Sequence, residues 1–257
     1  MLRFDTKYII SFRNNYMKTS IHRAENRGHA NHGWLNAKHS FSFASWYNPN
    51  LIHFGALRVL NDDEVAQGMG FGKHPHENME IITLVQEGAL EHQDSMGHTS
   101  VMRANDVQVM SAGKGVYHSE INHSKQEHVK LFQIWVFPDR DNVEPRYEQK
   151  SFSVEGRKNQ WQEIIKPSSQ NEGDAIFIYQ DAWFSLSDLD AGKEISYTNH
   201  KPGNVLYLFV IDGDVQVNGE KLKRRDAIGV SEYERIQIKA SSNARLLAID
   251  VPQINLQ

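Results

Sequence analysis

The sequence predicts an all-β protein built from two antiparallel β-barrels of similar size. Three observations carry that prediction. Short apolar or alternating runs recur between Gly, Asn and Asp turns, with almost no 3.6-residue periodicity. Asn218-Gly219 reads as a type I′ hairpin between residues 214–217 and 220–222. Residues 140–150 (RDNVEPRYEQK) form a polar, proline-containing stretch with a set of strand-like runs on either side. At 257 residues the chain is long enough for two medium domains, each with its own core.

Taken in order, residues 1–16 lack the compact apolar segment and small-residue cleavage site of a secretory signal and are read as an N-terminal extension, with Met17 an alternative start. Residues 17–50 are polar and aromatic. His22, His29, His32 and His39 share no ligand spacing there and read as loop and packing residues. Phe41, Phe43, Trp46 and Tyr47 suggest a strand that turns at Asn48-Pro49-Asn50. Residues 51–60 (LIHFGALRVL) read as a strand stopped by Asn61-Asp62-Asp63. Gly68, Gly70 and Gly72 then approach His74. They lead into His-Pro-His and not into a helix, which excludes a phosphate loop. Strands follow over 79–85, 89–94, 101–102, 107–110 and 129–137, the last being the most apolar of this half. Beyond the expected linker at 140–150, strands are read at 175–179, 183–186, 205–211, 215–217, 235–239 and 246–251, with one helical turn over 187–191. The first barrel is therefore expected over 17–139 and the second over 151–257.

Composition narrows the function. Lys and Arg number 28 against 32 Asp and Glu, so no global basic field draws the chain to nucleic acid. The cluster Lys221-Leu222-Lys223-Arg224-Arg225 reads as a solvated strand edge. No apolar run reaches the roughly 18 residues a membrane helix needs. The absence of cysteine rules out disulfides, iron–sulfur ligation and thiolate metal sites, and fits a reducing cytoplasm.

Histidine is the informative residue. Twelve of the 13 lie in the first 128 residues, and only His200 lies beyond. His74-Pro75-His76 and His118-Ser119-Glu120 place potential ligands at i and i+2, on one face of a strand. Two such strands inside a small barrel aim three imidazoles and one carboxylate at a single point, a metal site by residue type. His92 and Asp94 share a strand face and read as hydrogen-bonding groups at its rim, since further protein ligands would close it. Laid over the first half at its turns, the second half offers Asn199, Lys201, Ile238 and Ala240 where the first has ligands. It reads as a scaffold without metal.

These segments resemble a known family. Gly68 to Gly88 follows the first cupin motif, with Glu80 at its acidic position and one extra residue before Gly88; Ala112-Gly113 through Asn122 follows the second loosely, with Ser111 in place of proline. GWLNAKHSFSF, LRVLNDDEVAQGMGFGKHPH, LEHQDSMG, DVQVMSAGKGVYHSE and PRYEQK are each similar to segments of the pirin family, over about residues 28–152. The resemblance implies a bicupin of two jelly-roll barrels, the second degenerate. It also implies one mononuclear non-haem metal, usually Fe(II), held by His74, His76, His118 and Glu120. Nitrogen and oxygen donors equally suit Mn, Co, Ni, Cu or Zn. Glu80 is not a ligand in that family and could stand behind the ligands. Bacterial members described as quercetinases imply a flavonol substrate and dioxygen; a monomer is expected. Glu120 is then the nearest base for the enol proton, and Phe71, Met79, Ile81, Phe132, Ile134 and Trp135 are candidates to pack against the aromatic rings. Eukaryotic members are described as iron-dependent transcriptional cofactors, so the alternative is a redox-sensing regulator acting through a protein partner without turnover.

Overall fold

The computed structural model describes residues 17–170 and 172–254; the expected extension at 1–16 lies outside them. The first half runs through β1 (Lys18–His22), β2 (Gly28–Asn31), β3 (Leu35–His39), β4 (Leu57–Val65), β5 (Gly70–His76), β6 (Glu80–Glu87), β7 (Ala89–Asp94), β8 (Thr99–Arg103), β9 (Asp106–Ser111), β10 (Val116–Asn122), β11 (Val129–Val136) and β12 (Arg146–Ser151). A seven-stranded sheet, β12-β9-β6-β11-β4-β3-β2, closes against a four-stranded one, β5-β10-β7-β8. The second half contributes β13 (Gln162–Pro167), β14 (Ile176–Ile178), β15 (Trp183–Leu189), β16 (Glu194–Thr198), β17 (Asn204–Asp212), β18 (Val215–Val217), β19 (Glu220–Leu222), β20 (Ala227–Ser231), β21 (Arg235–Ala240) and β22 (Ala244–Pro252). Its sheets are β1-β20-β17-β22-β15-β13-β14 and β16-β21-β18-β19. The chain is thus nearly all β, in two barrels. Asn218 and Gly219 both take positive φ (46° and 93°), the twist a two-residue hairpin requires. No helix among the described residues is long and apolar enough to cross a membrane.

Several segments differ from the sequence reading, each for a reason of pairing. The last part of the expected 140–150 linker is β12, hydrogen-bonded along β9 from Arg146–Ser111 to Ser151–Asp106. Conversely β1 leaves the first half and pairs with β20 of the second. Residues 28–39, read as loop, form β2 and β3, whereas no strand spans 41–47. Asn61-Asp62-Asp63 does not stop its strand: His39 Nδ1 lies 2.8 Å from Asn61 Oδ1 and Arg225 Nε lies 2.8 Å from Asp62 Oδ2, so the first two find partners within the fold, while Asp63 is buried in β4 with Oδ1 unpartnered. Residues 187–189 continue β15 as extended backbone instead of forming a helical turn.

Strand alternation divides the buried residues between three spaces. Leu60, Ile82, Leu84, Phe132 and Ile134 of the first seven-stranded sheet pack against Phe184, Tyr207, Phe209, Leu247 and Ile249 of the second. Phe132 and Phe209 meet edge to face at 5.4 Å between centroids. This core between the barrels is reinforced by Arg225, which reaches across to Asp62 and lies over the Phe132 ring, and so is not a solvated edge residue. Inside the second barrel, Leu206, Leu208, Val210, Ile236, Ile238 and Leu246 fill the space with apolar side chains. The first barrel's interior is different. Leu35, Val65, Val85, Leu90 and Leu131 fill one end and Ile81, Met110, Ala112 and Val116 the other. Between them, along β6, β10 and β11, stand Thr83, His118, Glu120 and Gln133. A polar layer in the middle of a barrel is costly to bury without a use.

Candidate metal centre

The histidines and the carboxylate of this layer stand on the four-stranded sheet, opposite Thr83 and Gln133 of the seven-stranded one. In the β10–β5 pairing, Val116 faces His76 and His118 faces His74, but Glu120 faces Phe71. Gly72 and Lys73 therefore oppose the single residue Ser119, a β-bulge that turns His74 toward His118. The bulge also supplies a carbonyl: His74 Nδ1–H donates to Gly72 O at 2.7 Å, which leaves Nε2 free as a lone pair. Gly70 permits the close pairing, because a Cβ there would lie 2.2 Å from the Glu120 carbonyl oxygen.

The three imidazoles converge. Ring centroids are 4.4 Å apart for His74–His118, 4.8 Å for His74–His76 and 4.8 Å for His76–His118. One ligand atom from each lies within 4.8 Å of the others, with His118 buried and His74 and His76 half-buried. Burial, and then the neighbouring His74, push the His76 pKa down to about 4; burial, and then His74 and His76, push that of His118 down to about 2. Both rings are neutral near pH 7, as ligands must be. Glu120 is wholly buried, and desolvation raises its pKa to about 7 against the opposing hydrogen bonds of Thr83 and Gln133. Gln133 Nε2 donates to Glu120 Oε2 at 2.8 Å, and Thr83 Oγ1 lies 3.2 Å from Oε1, both reaching from the facing sheet.

Glu120 does not share the first cluster. Its carboxylate groups with His118 and His92, again within 4.8 Å, and all three are buried. The four expected residues thus fall into two overlapping triads joined at His118. Both ring nitrogens of His118 and Nδ1 of His92 are buried without a hydrogen-bonding partner in the protein. A barrel interior holding neutral, partnerless imidazole nitrogens beside a carboxylate fits a divalent transition metal by its donor chemistry.

Other candidates are placed as follows. Phe71, Met79, Ile81 and Trp135 line the first barrel, and Trp135 packs edge-on to His76 at 5.0 Å. Phe132 and Ile134 have the opposite parity and face the second barrel, out of reach of any ligand in the first. Glu80 shares that parity; it accepts from Ser111 Oγ at 2.7 Å and stands near Arg146, not behind the histidines. Sequence reasoning missed Thr83, Gln133 and Tyr147. Tyr147 comes from β12, the expected linker, and stacks on His92 at 4.7 Å. Its only sequence signal was the likeness of PRYEQK to a segment of the pirin family. In the second barrel, Ile238 and Ala240 are buried and Asn199 and Lys201 lie in the turn after β16, so no ligands stand at those positions. His200 is instead held between Asp250 (3.1 Å) and Glu163 (3.3 Å) and stacked on Trp183 at 5.0 Å. A cavity of about 990 Å³ opens at that barrel beside Asn204 and Tyr233, and none of the first barrel's histidines lines it.

Comparison with known proteins agrees with this architecture. The Pirin family model matches residues 20–136, and a quercetinase C-terminal cupin domain model matches 167–251. The chain is 40% identical over 239 residues to a quercetin 2,3-dioxygenase of Escherichia coli strain K12, covering 91% of this chain and 99% of that one. It is 43% identical over 223 residues to a pirin-like protein of Caulobacter vibrioides, covering 87% and 95%. The crystal structure of the bacterial pirin YhhW from Escherichia coli in complex with nickel(II) superposes with a TM-score of 0.87 at 38% identity, over 92% of this chain and 100% of that one.

Proposed function

Because the chain belongs to the pirin family, we propose that it is a metal-dependent dioxygenase that opens the ring of flavonols such as quercetin. His74, His76, His118 and Glu120 are the proposed ligands, and Fe(II) the proposed ion. One observation carries the reading: neutral imidazoles with free nitrogens meet beside a buried carboxylate inside a barrel that otherwise has no need of polar groups. A relative named for quercetin 2,3-dioxygenation and a related nickel-bound structure support it.

Bound there, a divalent ion supplies Lewis acidity to the flavonol enol oxygen and a route for dioxygen chemistry. The chain's own part is positioning and exclusion of water. The Gly72 carbonyl holds the His74 ring, while Gln133 and Thr83 hold Glu120. The Glu120 carboxylate is the proposed base for the enol proton. Trp135, Met79 and Ile81 present an apolar wall beside His76, suited to an aromatic substrate. Dioxygen addition to the ring then releases carbon monoxide and a depside.

The test is anaerobic loading with Fe(II), followed by quercetin and a measured pulse of oxygen. Stoichiometric oxygen uptake with carbon monoxide release, lost in His74→Ala and Glu120→Ala, is the expected result. A metal-loaded protein that consumes no oxygen with quercetin overturns the reading.

A further inference from the structure

Where the seven-stranded sheet of the first barrel meets the turn between β19 and β20 of the second, the chain encloses a crevice of about 300 Å³. We propose that this crevice is a phosphate-binding site, in which Arg27 and Lys38 from the first half and Arg225 from the second close on one phosphate group, free or carried as a monoester. The site is separate from the metal centre and does not depend on it.

Strand register builds its floor. Lys38, Asp62 and Phe132 stand opposite one another on β3, β4 and β11, and Asn36, Glu64 and Lys130 form the next row but one. Both rows leave the sheet on the face turned away from the first barrel's interior. Asp63, between the rows, has the parity of Val65 and faces into that barrel. The second barrel brings Arg225 down onto this floor. Arg225 takes φ 69°, uncommon for a residue with a side chain. Its backbone N–H donates to the Val210 carbonyl at 2.7 Å, and its guanidinium donates to that of Ile211.

Positive charge is in excess there. Two guanidiniums share one carboxylate oxygen, Asp62 Oδ2: Arg225 Nε lies 2.8 Å from it, but Nη1 and Nη2 of Arg27 come only to 3.4 Å. The Arg27 side chain is 7% exposed, and its Nε is buried with no partner among the described residues. Buried donors are normally engaged, so Arg27 is under-satisfied where it borders the crevice. The Phe209 ring lies 5.7 Å from the Arg27 guanidinium and the Phe132 ring 4.9 Å from that of Arg225. Stacked in this way, the two groups keep their edges for hydrogen bonds. The other charges at the crevice have partners of their own: Glu64 with His128, Lys130 with Glu87 and Arg224 with Asp212. Arg27, Arg225 and Lys38 therefore face the single carboxylate of Asp62, and a phosphate dianion balances them. A carboxylate ligand brings one charge and a planar pair of acceptors, enough for one guanidinium fork. Burial lowers the Arg225 pKa, and Arg224 and Arg27 lower it further against the pull of Asp62, as an excess of cations requires.

The experiment titrates the full-length protein by calorimetry, at constant ionic strength, with inorganic phosphate, glycerol 3-phosphate and acetate. The expected result is saturable binding of one phosphate group per chain with a Kd of about 1 mM or below, and much weaker binding of acetate. Arg27→Gln should weaken phosphate binding by about tenfold or more, and Lys38→Gln, a milder change, by a smaller factor. His74→Ala should bind phosphate as the wild type does. Tighter binding of glycerol 3-phosphate supports a phosphate monoester as the ligand, and tighter binding of inorganic phosphate supports the free ion. No saturable phosphate binding, acetate bound as tightly as phosphate, or wild-type phosphate affinity in both Arg27→Gln and Lys38→Gln overturns the inference. So does binding lost in His74→Ala, which would put the phosphate at the first barrel's histidines. If Arg27→Gln fails to fold, Lys38→Gln and the wild-type preference over acetate still decide.

Discussion

Gln133 on β11 donates its Nε2–H to Glu120 on β10 across the interior of the first barrel, at 2.8 Å. The bond joins the two sheets and aims a carboxylate that would otherwise be free to turn toward Thr83 alone. Removing a group that orients a metal ligand typically costs 10–100-fold in metal affinity. Gln133→Leu is therefore expected to weaken Ni(II) or Co(II) binding by about tenfold or more, while an apolar side chain keeps the fold. Chelator competition on the purified variant reads this directly, and unchanged affinity would remove Gln133 from the site.

Gly70 bears on the centre through backbone alone. A methyl group there would meet the Glu120 carbonyl at 2.2 Å and the Ile121 Cα at 2.6 Å, neither of which can move without parting β5 from β10. Gly70→Ala should separate His74 from His118 and abolish tight metal binding, yet leave the second barrel's core untouched. Metal content together with far-ultraviolet circular dichroism distinguishes this from global unfolding. A variant with full metal content would show that the strands tolerate the shift.

Phe132 and Trp135 lie three residues apart on β11 and face different spaces. Phe132→Ala opens the core between the barrels and is expected to cost about 3–5 kcal/mol, the range for a buried phenylalanine. Because that core is shared, both barrels should unfold in one weakened transition, with metal content per folded molecule unchanged. Trp135→Ala should do the reverse, altering quercetin binding with a smaller loss of stability. Two well-separated urea transitions in the wild type would contradict the shared core.

Stability should also depend on His200. Burial lowers its pKa, but hydrogen bonds and charges from Asp250 and Glu163 outweigh that and lift it from 6.5 to about 9. The folded value exceeds the unfolded one, so the contribution is complete below about pH 6.5 and is lost as pH rises through about 9. A rise from 6.5 to about 9 corresponds to roughly 3 kcal/mol, reduced by solvent screening of the half-buried pair. Urea midpoints measured at pH 6, 8 and 10 should fall more steeply for the wild type than for His200→Gln. Parallel curves would mean the ion pair contributes nothing.

Much of the fold and part of the centre were legible in the residues. The i, i+2 spacing of His74 with His76 and of His118 with Glu120 states which side chains share a face, because a strand has period two whatever it pairs with. Turn chemistry placed the hairpins for the same reason: Asn218-Gly219 needs no distant partner to adopt positive φ. Parity failed once pairing intervened. Glu80 was expected behind the ligands, but residues 77–79, with Asn78 at positive φ (47°), break the chain between β5 and β6 and reset the alternation, and Phe132 was assigned inward although its sheet has two buried faces.

What the sequence determined by itself was therefore local: an all-β chain, two barrels' worth of strands, and one set of metal-type side chains confined to the first half. The tertiary structure alone decided which strands became neighbours. It carried β1 into the second barrel and β12 into the first, set Gln133 and Thr83 against Glu120, set His92 beside His118, and anchored Asp62 with Arg225. Each of these depends on register between segments remote in the chain, and register follows from the balance of burial across whole sheets, which no short stretch of residues encodes.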